Sequence, residues 1–158
     1  MIDTIWARLA QRLALGIPAL LLGGAYISEF VFGLYPCEMC WWQRYAHFIA
    51  LALALMSALP GAKRLWVALS GFAIIAAGII GGFHAGVEYG WWEGVTACTT
   101  AATEGGGSAL DNIMNAPLIR CDVAPWTLAG ISLAGFNFLI STTAGIAILW
   151  LLSKRKRA

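Results

Sequence analysis

The chain has 158 residues, 60% of them hydrophobic and 11% charged, with eight tryptophans and a formal net charge of +2. So few charges cannot cover a soluble globule of this size, which excludes an ordinary water-soluble domain and points to a membrane. The basic run 154–157 has the composition of a nucleic-acid patch or a targeting signal, but it follows an apolar stretch directly, where it reads as a positive-inside anchor.

Ile2, Ile5, Trp6, Leu9 and Leu13 recur at helical spacing and predict a short interfacial lead-in. The first apolar stretch, 13–32, is longer than a signal-peptide core and lacks an Ala-x-Ala site, so it should remain as a helix. A second stretch covers 41–59. Pro60 and Gly61 break it, and Lys63 and Arg64 mark a polar hairpin before the third, 65–87. A fourth covers 126–152. Crossing about 30 Å of hydrocarbon takes roughly 20 helical residues. The expectation is therefore an all-α membrane protein, a bundle of four transmembrane helices forming one domain over 1–158, with external loops 33–40 and 88–125.

Eight of the ten basic residues, Arg8, Arg12, Lys63, Arg64, Lys154, Arg155, Lys156 and Arg157, lie on one side of these spans; only Arg44 and Arg120 lie on the other. That asymmetry predicts cytoplasmic termini. All four cysteines fall on the opposite side, which in a bacterium is the periplasm, where disulfides persist. In the long loop, Glu104, Gly105, Gly106, Gly107 and Ser108 read as a flexible connector. Ser108 and Asp111 are placed to cap a short surface helix bearing Leu110, Ile113 and Met114 on one face.

Cys37 and Cys40 follow Pro36, which biases Tyr35 toward extended geometry and lets a helix begin around Cys40. Unpaired amides at that helix end, with Arg44 one turn on, predict a lowered pKa for Cys40. Trp41 and Trp42 mark the interfacial belt, so Cys40 and Arg44 lie where a lipid-soluble molecule with a polar head would rest. His47 shares roughly that face, with a helix-to-helix hydrogen bond as its plainer use.

Cys37-Glu38-Met39-Cys40 followed by Trp41-Trp42-Gln43-Arg44 resembles the C-x-x-C-x-x-x-R signature of the disulfide-bond formation protein B (DsbB) family. The likeness extends to the four spans, to the second external cysteine pair, and to the segments around Gly86 to Trp92 and Arg120 to Trp126. It implies a protein-dithiol:quinone oxidoreductase of the bacterial inner membrane. Cys98 would be attacked by a reduced DsbA-type protein of thioredoxin fold, Cys121 would be its disulfide partner, and electrons would pass to Cys37 and Cys40. Arg44 would hold a quinone, ubiquinone or menaquinone, with His47 a further candidate contact.

Gly78, Gly82 and Gly86 predict close packing of the third helix, and Asn137, Ser141 and Thr142 predict interhelical hydrogen bonds in the fourth. His84 reads as a buried, bonded histidine, and Glu29 and Glu88 as acids near external helix ends, with Glu88 a possible proton carrier. No metal site is expected, because Cys98 and Cys121 lack close ligand spacing. A small transporter is the other class, but no inverted repeat or polar ion-coordinating set supports it.

Overall fold

A computed structural model describes residues 5–96 and 119–154. Four helices account for most of them: α1 (Ile5–Phe30), α2 (Glu38–Met56), α3 (Lys63–Glu88) and α4 (Leu133–Ser153). Two-residue strands β1 (Thr127–Leu128) and β2 (Ile131–Ser132) precede α4. The class is all-α, with one small hairpin that the sequence did not suggest.

Side chains are distributed inside out. Leu20, Phe30, Phe72, Ile79 and Ile146 face outward, whereas Gln43, Arg44, His47, Ser70, His84 and Ser141 are buried. Water would punish that arrangement, and lipid tolerates it because the polar groups find partners inside the bundle. By length and apolarity α1, α3 and α4 can each cross a membrane. α2 carries Glu38, Gln43, Arg44 and His47 in its first half and does not meet that measure by composition.

α1 is one uninterrupted helix, not a lead-in followed by a span. No breaker separates Ile5 from Leu13, and Ala7, Ala10 and Ala14 form the face that packs inward, leaving Ile5, Trp6 and Leu9 exposed. At the far end of α2, Ser57 Oγ accepts from Gln11 Nε2 at 2.8 Å and ties α1 to α2. Ser70 Oγ donates to Ala50 O at 2.8 Å, joining α3 to α2.

α3 and α4 form the most extensive helix pair. Glycines allow it: a Cβ at Gly78 would lie 2.5 Å from Thr142 Oγ1 and 2.9 Å from Thr142 N. At Gly82 it would meet the Phe138 ring, and at Gly145 the Ile75 side chain. Gly86 belongs to a different contact, against the Trp92 ring, so the expected glycine stripe serves two neighbours. α3 then stops in a Schellman motif: Trp91 N donates to Gly86 O and Gly90 N to Val87 O, with Gly90 at φ 69°.

The fourth helix starts at Leu133 rather than 126. Ala129 and Gly130, at φ 51° and 77°, make a tight turn that pairs Thr127 with Ser132 and Leu128 with Ile131. Ser132 then caps α4, its Oγ accepting from Gly135 N at 3.1 Å. The Tyr89 hydroxyl donates to Gly130 O and accepts from Ser132 N, both at 2.9 Å, clasping the hairpin to the end of α3. The surface helix expected around Leu110 to Met114, Cys98, and Arg155 to Arg157 lie outside the described residues.

Candidate functional site

At one end of the bundle α2 begins with a cysteine as its cap. Cys37 has extended geometry (φ −77°, ψ 176°), and its Sγ accepts from the Cys40 backbone N–H at 3.4 Å. The two sulfurs lie 3.1 Å apart as free thiols. The helix begins at Glu38, earlier than the sequence suggested, so the terminal amide is directed at Cys37 instead of Cys40. Hydrogen bonding from Cys40, supported by His84, outweighs the burial of Cys37 and lowers its pKa to about 4 from the ordinary value of 9.0. The expectation of an activated Cys40 is thereby corrected: the stabilised thiolate is Cys37, because the Cys40 thiol and His84 are directed at its sulfur and the Cys40 backbone N–H adds a smaller contribution.

α3 supplies the groups behind this pair. His84 Nε2 lies 3.5 Å from Cys37 Sγ, and its Nδ1 lies 3.0 Å from Gln43 Nε2. Glu88, one turn beyond, places Oε1 3.7 Å from His84 Nε2 and is almost wholly buried. Among the described residues its Oε2 has no hydrogen-bond partner. Cys37, Met39, Val87 and Cys121 form one apolar cluster, so the segment bearing Cys121 packs onto the first pair. Cys121 is fully buried, disulfide-bonded, and accepts from Thr96 Oγ1 at 3.4 Å. Beside it Arg120 grips Asp122 through Nε at 2.9 Å and Nη2 at 2.5 Å, and this contact holds the Asp122 carboxyl below its usual range.

Arg44 does not face the cysteines as a free cation. Its Nη1 pairs with Glu29 Oε2 at 2.5 Å and Nη2 donates to Ala25 O at 3.1 Å. The guanidinium carbon lies 4.8 Å from the Tyr26 ring centre and 5.0 Å from that of Trp41. Stacking of this kind holds a charged fork in place where water is scarce. His47 Nε2 bonds Asn137 Oδ1 at 2.9 Å, the plainer of its two expected uses.

Two cavities meet at this end. One, of about 270 Å³, is lined by Cys40, Arg44, His47 and His84 together with apolar side chains of α1 and α4. The other, of about 350 Å³, is lined by Cys37, Cys40, His84 and Glu88 and by Ile119, Arg120 and Val123 of the Cys121 segment. Cys40 borders both; Cys37 borders only the second. A vicinal dithiol set between an apolar chamber and a disulfide-bearing segment is arranged for exchange in both directions.

Of the expected site residues, Cys37, Cys40, Arg44, His47 and Cys121 converge here, and Cys98 lies outside the described residues. Neither the contacts of Gln43 nor the direct approach of His84 to sulfur was legible in the sequence. The available signal was His84 and Glu88, four residues apart near the external end of an otherwise apolar helix, where ionisable groups are costly. Cys37 Sγ, Cys40 Sγ and a His84 nitrogen lie within 4.8 Å of one another, a donor set of the kind that thiophilic metals use.

No solved structure matches the chain significantly. Among curated proteins it is similar to a disulfide bond formation protein B of Verminephrobacter eiseniae, 31% identical over 99% of this chain and 91% of the relative. It is also similar to the protein of that name from Polaromonas naphthalenivorans, 30% identical over 95% and 93% of the two chains. The family model for the disulfide bond formation protein DsbB matches residues 7–151. With helices long enough to span a membrane, and a dithiol beside a disulfide-bonded cysteine, the chain is a multi-pass membrane protein belonging to the DsbB family of disulfide-forming oxidoreductases.

Proposed function

We propose that the protein reoxidises a periplasmic DsbA-type dithiol protein and delivers the two electrons to a membrane quinone. The observation that carries this is the position of Cys40, shared between the Cys121 segment and the apolar chamber that Arg44 lines. In balance, a donor dithiol and a quinone give a donor disulfide and a quinol. A DsbA-type donor is itself strongly oxidising, near about −120 mV, so a thiol pair alone is a poor sink for its electrons. A lipid-soluble quinone supplies that two-electron sink.

The chain's own residues divide the work. Cys98 receives the donor's thiolate, and Cys121 is released as its partner. Once the donor has left as its disulfide, a thiolate of the reduced loop pair attacks Cys37 of the oxidised Cys37–Cys40 disulfide and displaces Cys40 toward the quinone chamber; when the loop disulfide re-forms, Cys37 leaves as its stabilised thiolate. Arg44 binds the quinone head and offsets the negative charge that develops there, while Glu29 and the Tyr26 and Trp41 rings keep its fork oriented. His47 lines the same chamber.

α2 is the fourth span in this reading. Its polar residues Gln43, Arg44 and His47 point inward and are buried, so its low apolarity reflects an interior face lined with function. The basic residues at the two termini and in the 60–64 hairpin support a cytoplasmic position for that side, with the cysteines in the periplasm of a bacterial inner membrane. The test mixes purified protein, a quinone and a reduced DsbA-type donor and follows quinone reduction. Turnover should vanish in both Cys40→Ala and Cys98→Ala; normal turnover in either sinks the relay.

A further inference from the structure

Two side-chain amides, Gln43 on α2 and Asn137 on α4, sit inside the bundle between the two histidines. A backbone carbonyl forces the orientation of each. Gln43 Nε2 lies 3.1 Å from Met39 O, and Asn137 Nδ2 lies 3.0 Å from Ala77 O. A carbonyl only accepts, so the atom facing it is the amide nitrogen in both cases.

Every further contact then has one direction. Asn137 Nδ2 donates to Gln43 Oε1 at 2.8 Å, which leaves Gln43 Nε2 to donate to His84 Nδ1 at 3.0 Å. Nδ1 is therefore a bare lone pair, and the proton of the neutral ring is on Nε2, 3.5 Å from Cys37 Sγ. Ser141 Oγ donates to Asn137 Oδ1 at 2.7 Å and anchors the far end of the chain.

We propose that Gln43 and Asn137 are positioning residues that clamp His84 in its Nε2–H tautomer, so that the ring donates to the Cys37 sulfur and holds it as a thiolate. The proposal rests on the reading of Cys37 as the exchanging thiol. A second ring proton on Nδ1 would face the Gln43 NH₂, donor against donor. Relief would require Gln43 to turn over, losing the Met39 carbonyl and setting its NH₂ against that of Asn137. The clamp thus favours an imidazole that stabilises the thiolate over one that removes its proton. It also turns the free lone pair of His84 toward Gln43 and away from the cysteines, which weakens the three-donor cluster as a metal site. Among the described residues that share a cavity with Cys37, the other titratable or charged groups are Tyr35 ahead of α2, Cys40 on α2, Glu88 on α3 and Arg120 beside Cys121.

The chain has two histidines, so nitrogen-15 NMR of the histidine-labelled full-length protein in bilayers, with the Cys37 and Cys40 pair reduced, reads two rings. A His84→Gln sample assigns them. At neutral pH His84 should show a protonated Nε2 and a bare Nδ1. Gln43→Glu replaces the donor with an acceptor and should move the proton to Nδ1 or add a second one. Gln43→Leu should mix the tautomers and raise the midpoint of Cys37 alkylation by about one pH unit, a tenfold loss of thiolate below it. A merely structural Gln43 would lower thermal stability and leave tautomer and midpoint where they were, which overturns the proposal. So does an Nδ1-protonated or doubly protonated His84 in the unmodified protein, a readout that needs no variant to fold. Quinone turnover enters none of these measurements, so failure of the relay and failure of the clamp are separable.

Discussion

Cys37 departs far from the behaviour of an ordinary thiol, and its alkylation by iodoacetamide should show it in a particular way. A thiol at the ordinary value of 9.0 is about 1% thiolate at pH 7, whereas one near 4 is essentially all thiolate, a gain of about a hundredfold. Intrinsic nucleophilicity falls with basicity by a factor of about 0.4–0.5 in the logarithm, so five units of depression cost about two to two and a half decades. The two effects nearly cancel at pH 7, and a fast rate is not the signature. The pH profile is: the rate should stay flat from about pH 9 down to about pH 5 and fall only near pH 4, where an unfolded control falls away below about pH 9. Peptide mapping by mass spectrometry attributes the label to Cys37. The sign for stability runs the same way. A folded pKa below the unfolded one makes the thiolate stabilising above about pH 9, with that contribution declining below it and lost as pH falls through about 4. An alkylation midpoint above about pH 7 in the folded protein would refute the hydrogen bonding from Cys40 and His84 as the source of the thiolate.

Arg44→Lys should weaken apparent quinone affinity by about tenfold, because a compact ammonium cannot keep both Glu29 and Ala25 O while stacking between two rings. Unchanged half-saturation for quinone would remove Arg44 from the site. Gly78→Ala should lower stability by about 1–3 kcal/mol, since its Cβ would stand 2.9 Å from the Thr142 backbone nitrogen and α3 and α4 must separate. Thermal unfolding in detergent measures this, and an unshifted transition would show that the helix pair can relax.

Much of the site was legible because its residues are local to one another. Cys37, Cys40 and Arg44 fall within two helical turns, so spacing alone places them at one end of one helix. The polar role of α4 was legible too, from Asn137 and Ser141 in an apolar run, although Thr142 Oγ1 is buried without a hydrogen-bond partner and serves packing against Gly78. The start of α4 was not legible, because a hairpin built on Ala129 in a left-handed conformation has no strong local signal, and the Tyr89 clasp that ties it to α3 comes from far along the chain. Nor was the continuity of α1, because exposed apolar and buried alanine faces differ only once neighbours are present.

By itself the sequence determined the solvent, the class and the chemistry: apolar content demands lipid, helices are the structure that such content makes in lipid, and clustered cysteines demand exchange. What only the tertiary structure decided is which sulfur carries the charge and what surrounds it. The identity of the capping residue depends on helix register, the approach of His84 to Cys37 joins residues far apart along the chain, and that of Glu29 to Arg44 joins two separate helices. Spacing along one helix says nothing of the face that a second helix turns toward it; that is set by glycines and alanines through which the bundle closes.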